Sequence, residues 1–151
     1  MPASYPLLLQ DLVIPQFDRR TLRYVLDGYW PKQANTTIRH GRGSPRSFSP
    51  AAALLLYVGA ALHKGGIDRE GARVHLAGLW QHHERLNQIA LRQPKRVRGV
   101  LDRYGHAHII GLRPAMRPGL YDPRKAPVTT SVDLSQLAAM LPVAKRGRGK
   151  E

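Results

Sequence analysis

Apolar residues fall into short periodic groups along most of the chain. Leu7, Leu8, Leu9 and Leu12 lie on or near one helical face and predict a short helix over residues 6–13. Ile14-Pro15-Gln16 breaks it, since a proline disfavours the helical conformation in the residue before it. Asp18 is a good N-cap, and Leu22, Val25 and Leu26 recur at i, i+3, i+4, which predicts a second helix with one apolar stripe. Its other face carries Arg19, Arg20, Arg23 and Tyr24, and Gly28 and Pro31 end it. Residues 32–48 are polar and basic. Thr36, Thr37 and Ile38 read as one strand and Arg46-Ser47-Phe48 as its return, with Gly41, Gly43 and Pro45 at the tip.

Ser49-Pro50 starts the next helix, because serine caps and proline loses no needed N–H at the first helical position. Its run from Ala51 to Leu62 is apolar but too short to span a bilayer, so it reads as a buried core helix. Gly65-Gly66 stops it. Asp68 caps a long helix expected to run to about Arg92, with Leu76, Leu79, Trp80, His83, Leu86 and Ala90 on one face. After Pro94, the spacing of Val97, Val100, Leu101 and Tyr104 predicts one more amphipathic helix. Strands are expected over 106–112 and 128–134, a loop over 113–127, a short helix over 135–141, and a disordered basic tail over 143–151. The resulting fold class is mainly α with small β.

Charge sharpens this picture. Among 151 residues, 24 are Lys or Arg and 10 are Asp or Glu, for a net charge of +14. Such an excess repels itself in the folded chain and points to a polyanionic partner, nucleic acid before a membrane surface. The absence of cysteine excludes disulfides and thiolate metal sites. Leu7-Leu8-Leu9 is too short for a signal-peptide core, so a cytoplasmic location is expected, with no membrane partner.

Three motifs resemble the MerR family. Thr21-Leu22-Arg23-Tyr24 is similar to the T-[LI]-R-Y of its recognition helix. Arg46-Ser47-Phe48-Ser49 is similar to the R-x-Y-[ST] closing its wing. Lys64-Gly65-Gly66-Ile67-Asp68, followed by Glu70, is similar to the turn between its third and fourth helices. The likeness spans residues 5–78. The chain departs from the pattern at Val25 and Leu26, where the family carries an aromatic and an acid, and in its longer wing.

The resemblance implies a winged helix-turn-helix over 1–78 and a helical dimerisation region over 79–104. A small hairpin with a short helix over 105–142 and the tail over 143–151 complete the expected organisation. It also implies a bacterial or mobile-element regulator that binds double-stranded DNA as a homodimer at the nucleoid. Arg19, Arg20 and Arg23 are then expected at bases or groove-lining phosphates, with Thr21 and Tyr24 positioning the helix. Arg39, Arg42 and Arg46 are expected to form the wing, with Lys32 and His40 as further DNA-binding residues. A packing or recombination accessory factor and an RNA-binding protein remain open alternatives.

Catalysis finds no support in the residues: no carboxylate pair, Ser/His/Asp grouping or phosphate-binding glycine motif stands out. No cofactor is expected. His75, His82 and His83 fall on one expected helix, and His106 with His108 on one strand face, but a third zinc ligand is not evident. A second basic region, Arg92, Lys95, Arg96, Arg98 and Arg103, is expected to flank the helix after Pro94.

Overall fold

The computed structural model describes residues 5–34, 47–111, 124–125 and 127–142. The predominantly helical architecture with small antiparallel sheets agrees with the coarse expectation. The order is β1 (Leu7–Leu8), α1 (Leu9–Leu12), α2 (Arg19–Gly28), a 3-10 turn (Lys32–Ala34), β2 (Ser47–Phe48) and α3 (Pro50–Lys64). Then come α4 (Arg69–Trp80), α5 (His83–Arg92), β3 (Arg98–Asp102), β4 (Ala107–Ile110), β5 (Val128–Asp133) and α6 (Leu134–Ala139).

The centre is α3. Every residue from Ala51 to Ala60 is buried, as expected for a helix that is apolar on all sides. Ser49 Oγ accepts Ala52 N–H at 3.2 Å, and Asn87 Oδ1 from α5 accepts Ala51 N–H at 2.7 Å. Two otherwise unsatisfied donors at the helix start are thus paired. Gly59 lets α2 approach: a Cβ there would collide with Val25 Cγ1 and lie 3.2 Å from Leu76 Cδ1. Tyr57 Oη donates to the Leu12 carbonyl at 2.7 Å, which ties α1 to the same core. One continuous set of buried side chains runs from Leu7 to Leu141.

Several expectations need correction. The predicted helix over 6–13 is shorter, because Leu7 and Leu8 form β1 and pair with Phe48 and Ser47 in an antiparallel register. Leu7 is thereby fully buried beside Phe48. The return strand of the expected wing thus pairs with the N-terminal strand. The rest of that wing, including Arg39, His40, Arg42 and Arg46, lies outside the described residues.

The long helix expected over 68–92 is two helices. The last turn of α4 tightens, with Gln81 N–H on Gly78 O and His82 N–H on Leu79 O. His82 Nε2 lies 3.1 Å from Ala107 O, and His83 stacks on Trp80 at 5.1 Å between centroids. No proline marks this bend; Gly78, where a Cβ would lie 2.7 Å from Ala107 Cβ, lets β4 pack against the turn, and tertiary contacts make it. Leu76, Leu79, Leu86 and Ala90, expected on one face of that long helix, are all buried within the chain and so are not free to meet a second copy. That apolar face no longer argues for a second copy.

The helix expected after Pro94 is β3, and the expected two-stranded element is a three-stranded sheet ordered β4-β3-β5, antiparallel throughout. Helical spacing at Val97, Val100, Leu101 and Tyr104 misleads because β3 is covered on both faces, so its apolar residues need not alternate. Gly99 permits the close packing: a Cβ there would lie 3.2 Å from Leu79 and 3.3 Å from Leu134. Strand β5 and helix α6 fall where the sequence places them, with Asp133 capping α6 through Gln136 N–H at 3.0 Å.

Candidate nucleic-acid interface

Helix α2 is short and strongly two-sided. Leu22 and Val25 are fully buried, whereas Arg19, Arg20, Arg23 and Tyr24 face solvent. With Asp27 these four line an open depression of about 530 Å³. The helix begins at Asp18, whose Oδ1 accepts Thr21 N–H at 2.8 Å. That backbone bond, then the Thr21 hydroxyl, with Lys64 and Arg20 adding attraction, holds the Asp18 carboxyl below its usual range. Thr21 is half-buried and serves the cap.

Local helix stability does not explain the arginines. Arg19 and Arg20 stand in the first turn, where the macrodipole disfavours cations and the one neighbouring acid is the capping Asp18. Among the described residues no carboxylate forms a salt bridge with Arg19, Arg20 or Arg23. The row is an exposed cationic surface with Asp27 at its edge.

Its position is fixed by an aromatic cluster. The Tyr24 ring lies 4.6 Å from His63 and 5.5 Å, edge on, from Tyr29, and Tyr29 Oη is 3.0 Å from His63 Nδ1. Burial, with Tyr24 close by, raises the Tyr29 hydroxyl above its usual value. Beyond the cluster, Arg69 Nε reaches the Gly28 carbonyl at 3.4 Å, at the end of α2.

The structure therefore brings Arg19, Arg20, Arg23 and Tyr24 onto one face, with Thr21 at its cap. Lys32 is exposed but belongs to a separate depression of about 340 Å³, shared with Tyr29, Trp30, Glu70 and Arg73. Sequence reasoning missed His63, Lys64 and Arg69 as neighbours of α2. Lys64 stood within a quoted turn motif, but its electrostatic reach to Asp18 comes only from the crossing of α2 over α3.

The histidines are dispersed. His75 is fully buried, and among the described residues neither ring nitrogen has a hydrogen-bond partner. His83 lies against Trp80, and His108 Nε2 is 2.8 Å from Asp102 Oδ2. Among the described residues no three His, Cys, Asp or Glu side chains are arranged to hold a metal ion, and no helix is long and apolar enough to cross a membrane.

The chain matches no protein-family model, and no curated protein or solved structure is similar to it at a level that shows a relationship.

Proposed function

We propose that this protein binds double-stranded DNA with α2 as its reading helix, in a MerR-like winged helix-turn-helix, and acts as a transcriptional regulator at the bacterial nucleoid. The observation that carries this reading is the exposed face of α2. Three arginines and Tyr24 project from a helix whose opposite side is locked to the buried α3 through Leu22 and Val25. A helix held rigidly from behind and cationic in front presents guanidinium groups to a major groove, where arginine pairs bidentately with guanine.

Three further features support it. Helix α1, the turn that follows and α2 come in helix-turn-helix order, and α3 and α4 supply the platform. The net charge of +14 supplies the sequence-independent attraction to phosphate. Dimerisation on paired half-sites stays part of the proposal through the geometry of such readers, not through the α4–α5 face.

Competition binding tests it. A labelled duplex selected from a random pool is chased with unrelated duplex and with RNA of the same sequence. A regulator prefers its selected duplex by roughly a thousandfold or more. Equal competition by every duplex points to a packing factor instead, and stronger competition by RNA overturns the DNA assignment.

A further inference from the structure

The turn between β3 and β4 is built around a buried carboxylate. Asp102 is 3% exposed. Its Oδ1 accepts the N–H groups of Tyr104 at 2.8 Å and His106 at 3.0 Å, and its Oδ2 lies 2.8 Å from His108 Nε2. Burial alone raises such a carboxyl, but the hydrogen bonds from His108, His106 and Tyr104 outweigh it and hold Asp102 below its usual range. Asp102 N–H to His106 O at 2.9 Å and Gly105 N–H to Asp102 O at 3.1 Å close the loop, and Gly105 takes the positive φ of 83° that the turn needs.

This rigid turn presents Arg103, Tyr104 and His106 to solvent, Tyr104 at 62% exposure. Arg103 Cζ lies 5.5 Å from the Tyr104 ring centroid, an arrangement that steadies the guanidinium. Among the described residues Arg103 forms no salt bridge. Its N–H donates to the Pro127 carbonyl at 2.9 Å, so the exposed Arg124 and Lys125, just ahead of Pro127, approach the same end of the sheet.

The tip is also near the reading helix. A side chain at Gly105 would begin 3.7 Å from Val74 Cγ1, and Val74 lines the depression shared with Tyr29 and Lys32 at the end of α2. The turn and the end of α2 thus flank one stretch of α4. The second basic region does not act as one surface: Lys95 and Arg96 precede β3, while Arg103 follows it.

We propose that the β3–β4 turn is a second binding site for the phosphodiester backbone of duplex DNA, with Arg103 as the contact and Tyr104 as its shelf. The proposal rests on the DNA-binding reading of α2 but uses none of its residues. A turn already held by Asp102 loses little freedom on binding, and a phosphate contact positions the duplex without reading its sequence.

The test uses the full chain and a mixed-sequence labelled duplex, with affinity measured across a range of salt concentrations. Arg103→Glu is expected to weaken binding about tenfold and to lower the slope of log K against log salt by ~0.9, one phosphate contact. Tyr104→Ala is expected to weaken it a few-fold, because the guanidinium remains without its support. Lys95→Glu makes the same charge change at the opposite end of β3 and is expected to lose far less. Equal losses and equal slopes for Arg103→Glu and Lys95→Glu overturn the proposal, since net charge alone then explains both. If Arg103→Glu melts early, Arg103→Ala against Lys95→Ala carries the same comparison. If Arg20→Ala weakens binding and Arg103→Glu does not, only this site fails. A wild-type chain with no salt-dependent affinity for duplex overturns the α2 reading as well.

Discussion

The ring of Tyr24 sits 4.6 Å from that of His63, and His63 in turn sits 3.0 Å from the Tyr29 hydroxyl. The solvent face of α2 is thereby clamped to the last turn of α3, so the aim of the arginine row depends on a side chain from another helix. His63→Ala removes both the ring contact and the hydrogen bond. The expected cost is about 1–2 kcal/mol in urea unfolding. DNA affinity is expected to fall further than a matched loss of stability explains, because α2 gains freedom to tilt. Tyr29→Phe removes the hydrogen bond alone and is expected to cost about 1 kcal/mol or less. Unchanged duplex affinity in a folded His63→Ala chain would show that the clamp does not position the reading face.

Arg20 and Arg23 differ from Lys32 in what they can report. The two arginines occupy the exposed face of α2, while Lys32 lies in a different depression. Arg20→Ala or Arg23→Ala is expected to flatten sequence preference, by ~1–3 kcal/mol of discrimination for a lost bidentate base contact. Lys32→Ala is expected to weaken all duplexes evenly, as a phosphate contact does. The measurement is the affinity of each variant for the selected duplex and for a scrambled one. Equal loss on both duplexes for both arginine variants makes α2 a backbone binder and favours the packing-factor reading.

Elements whose signals are local were legible in the sequence. The caps at Asp18, Ser49 and Asp68 lie at the starts of α2, α3 and α4. The cationic face of α2 followed from spacing alone. What failed was tertiary. The bend at Gln81–His82 is stabilised partly by the Ala107 carbonyl, far along the chain. Strand β3 is buried on both faces, which erases the period-two signature and lets a helical period emerge by coincidence. The pairing of Leu7–Leu8 with Ser47–Phe48 joins segments whose separate patterns gave no hint of each other. Lys64 and His63 were invisible as site neighbours for the same reason: a helix crossing is not written in either helix.

That crossing has its own test at Gly59. A Cβ at this position collides with Val25 Cγ1, so Gly59→Ala forces α2 away from α3. Overpacking of this kind is expected to cost about 1–3 kcal/mol, despite the better helix propensity of alanine. Val25→Ala alone leaves a cavity and also destabilises. Together the two changes are expected to cost less than their sum, because the methyl at position 59 fills space that Val25 vacates. A double-mutant cycle in urea reads the coupling directly. Additive losses would mean that α2 and α3 do not meet at this pair.

Stability against pH should carry the mark of His75. The ring is fully buried on α4, with neither nitrogen hydrogen-bonded among the described residues, and burial pushes its pKa down from 6.5 to about 4. The unfolded chain takes up a proton near the ordinary value, while the folded chain resists until about 4. Between those limits the unfolded state binds more protons, so folding stability falls as the solution is acidified. The contribution is fully retained above 6.5, declines through the window and levels off below about 4. The gap amounts to about 3 kcal/mol. His82 shifts in the same direction, chiefly by burial, so wild-type curves alone do not isolate His75. His75→Leu does: it removes one titrating group and leaves His82 in place. Because the imidazole is unsatisfied, an apolar replacement of similar size is expected to be neutral or stabilising near pH 7. The difference between the two proteins should then widen in favour of His75→Leu as the pH drops from 6.5 to 4. Parallel curves across that window, measured by urea unfolding, would show that His75 becomes charged at no cost in the folded chain.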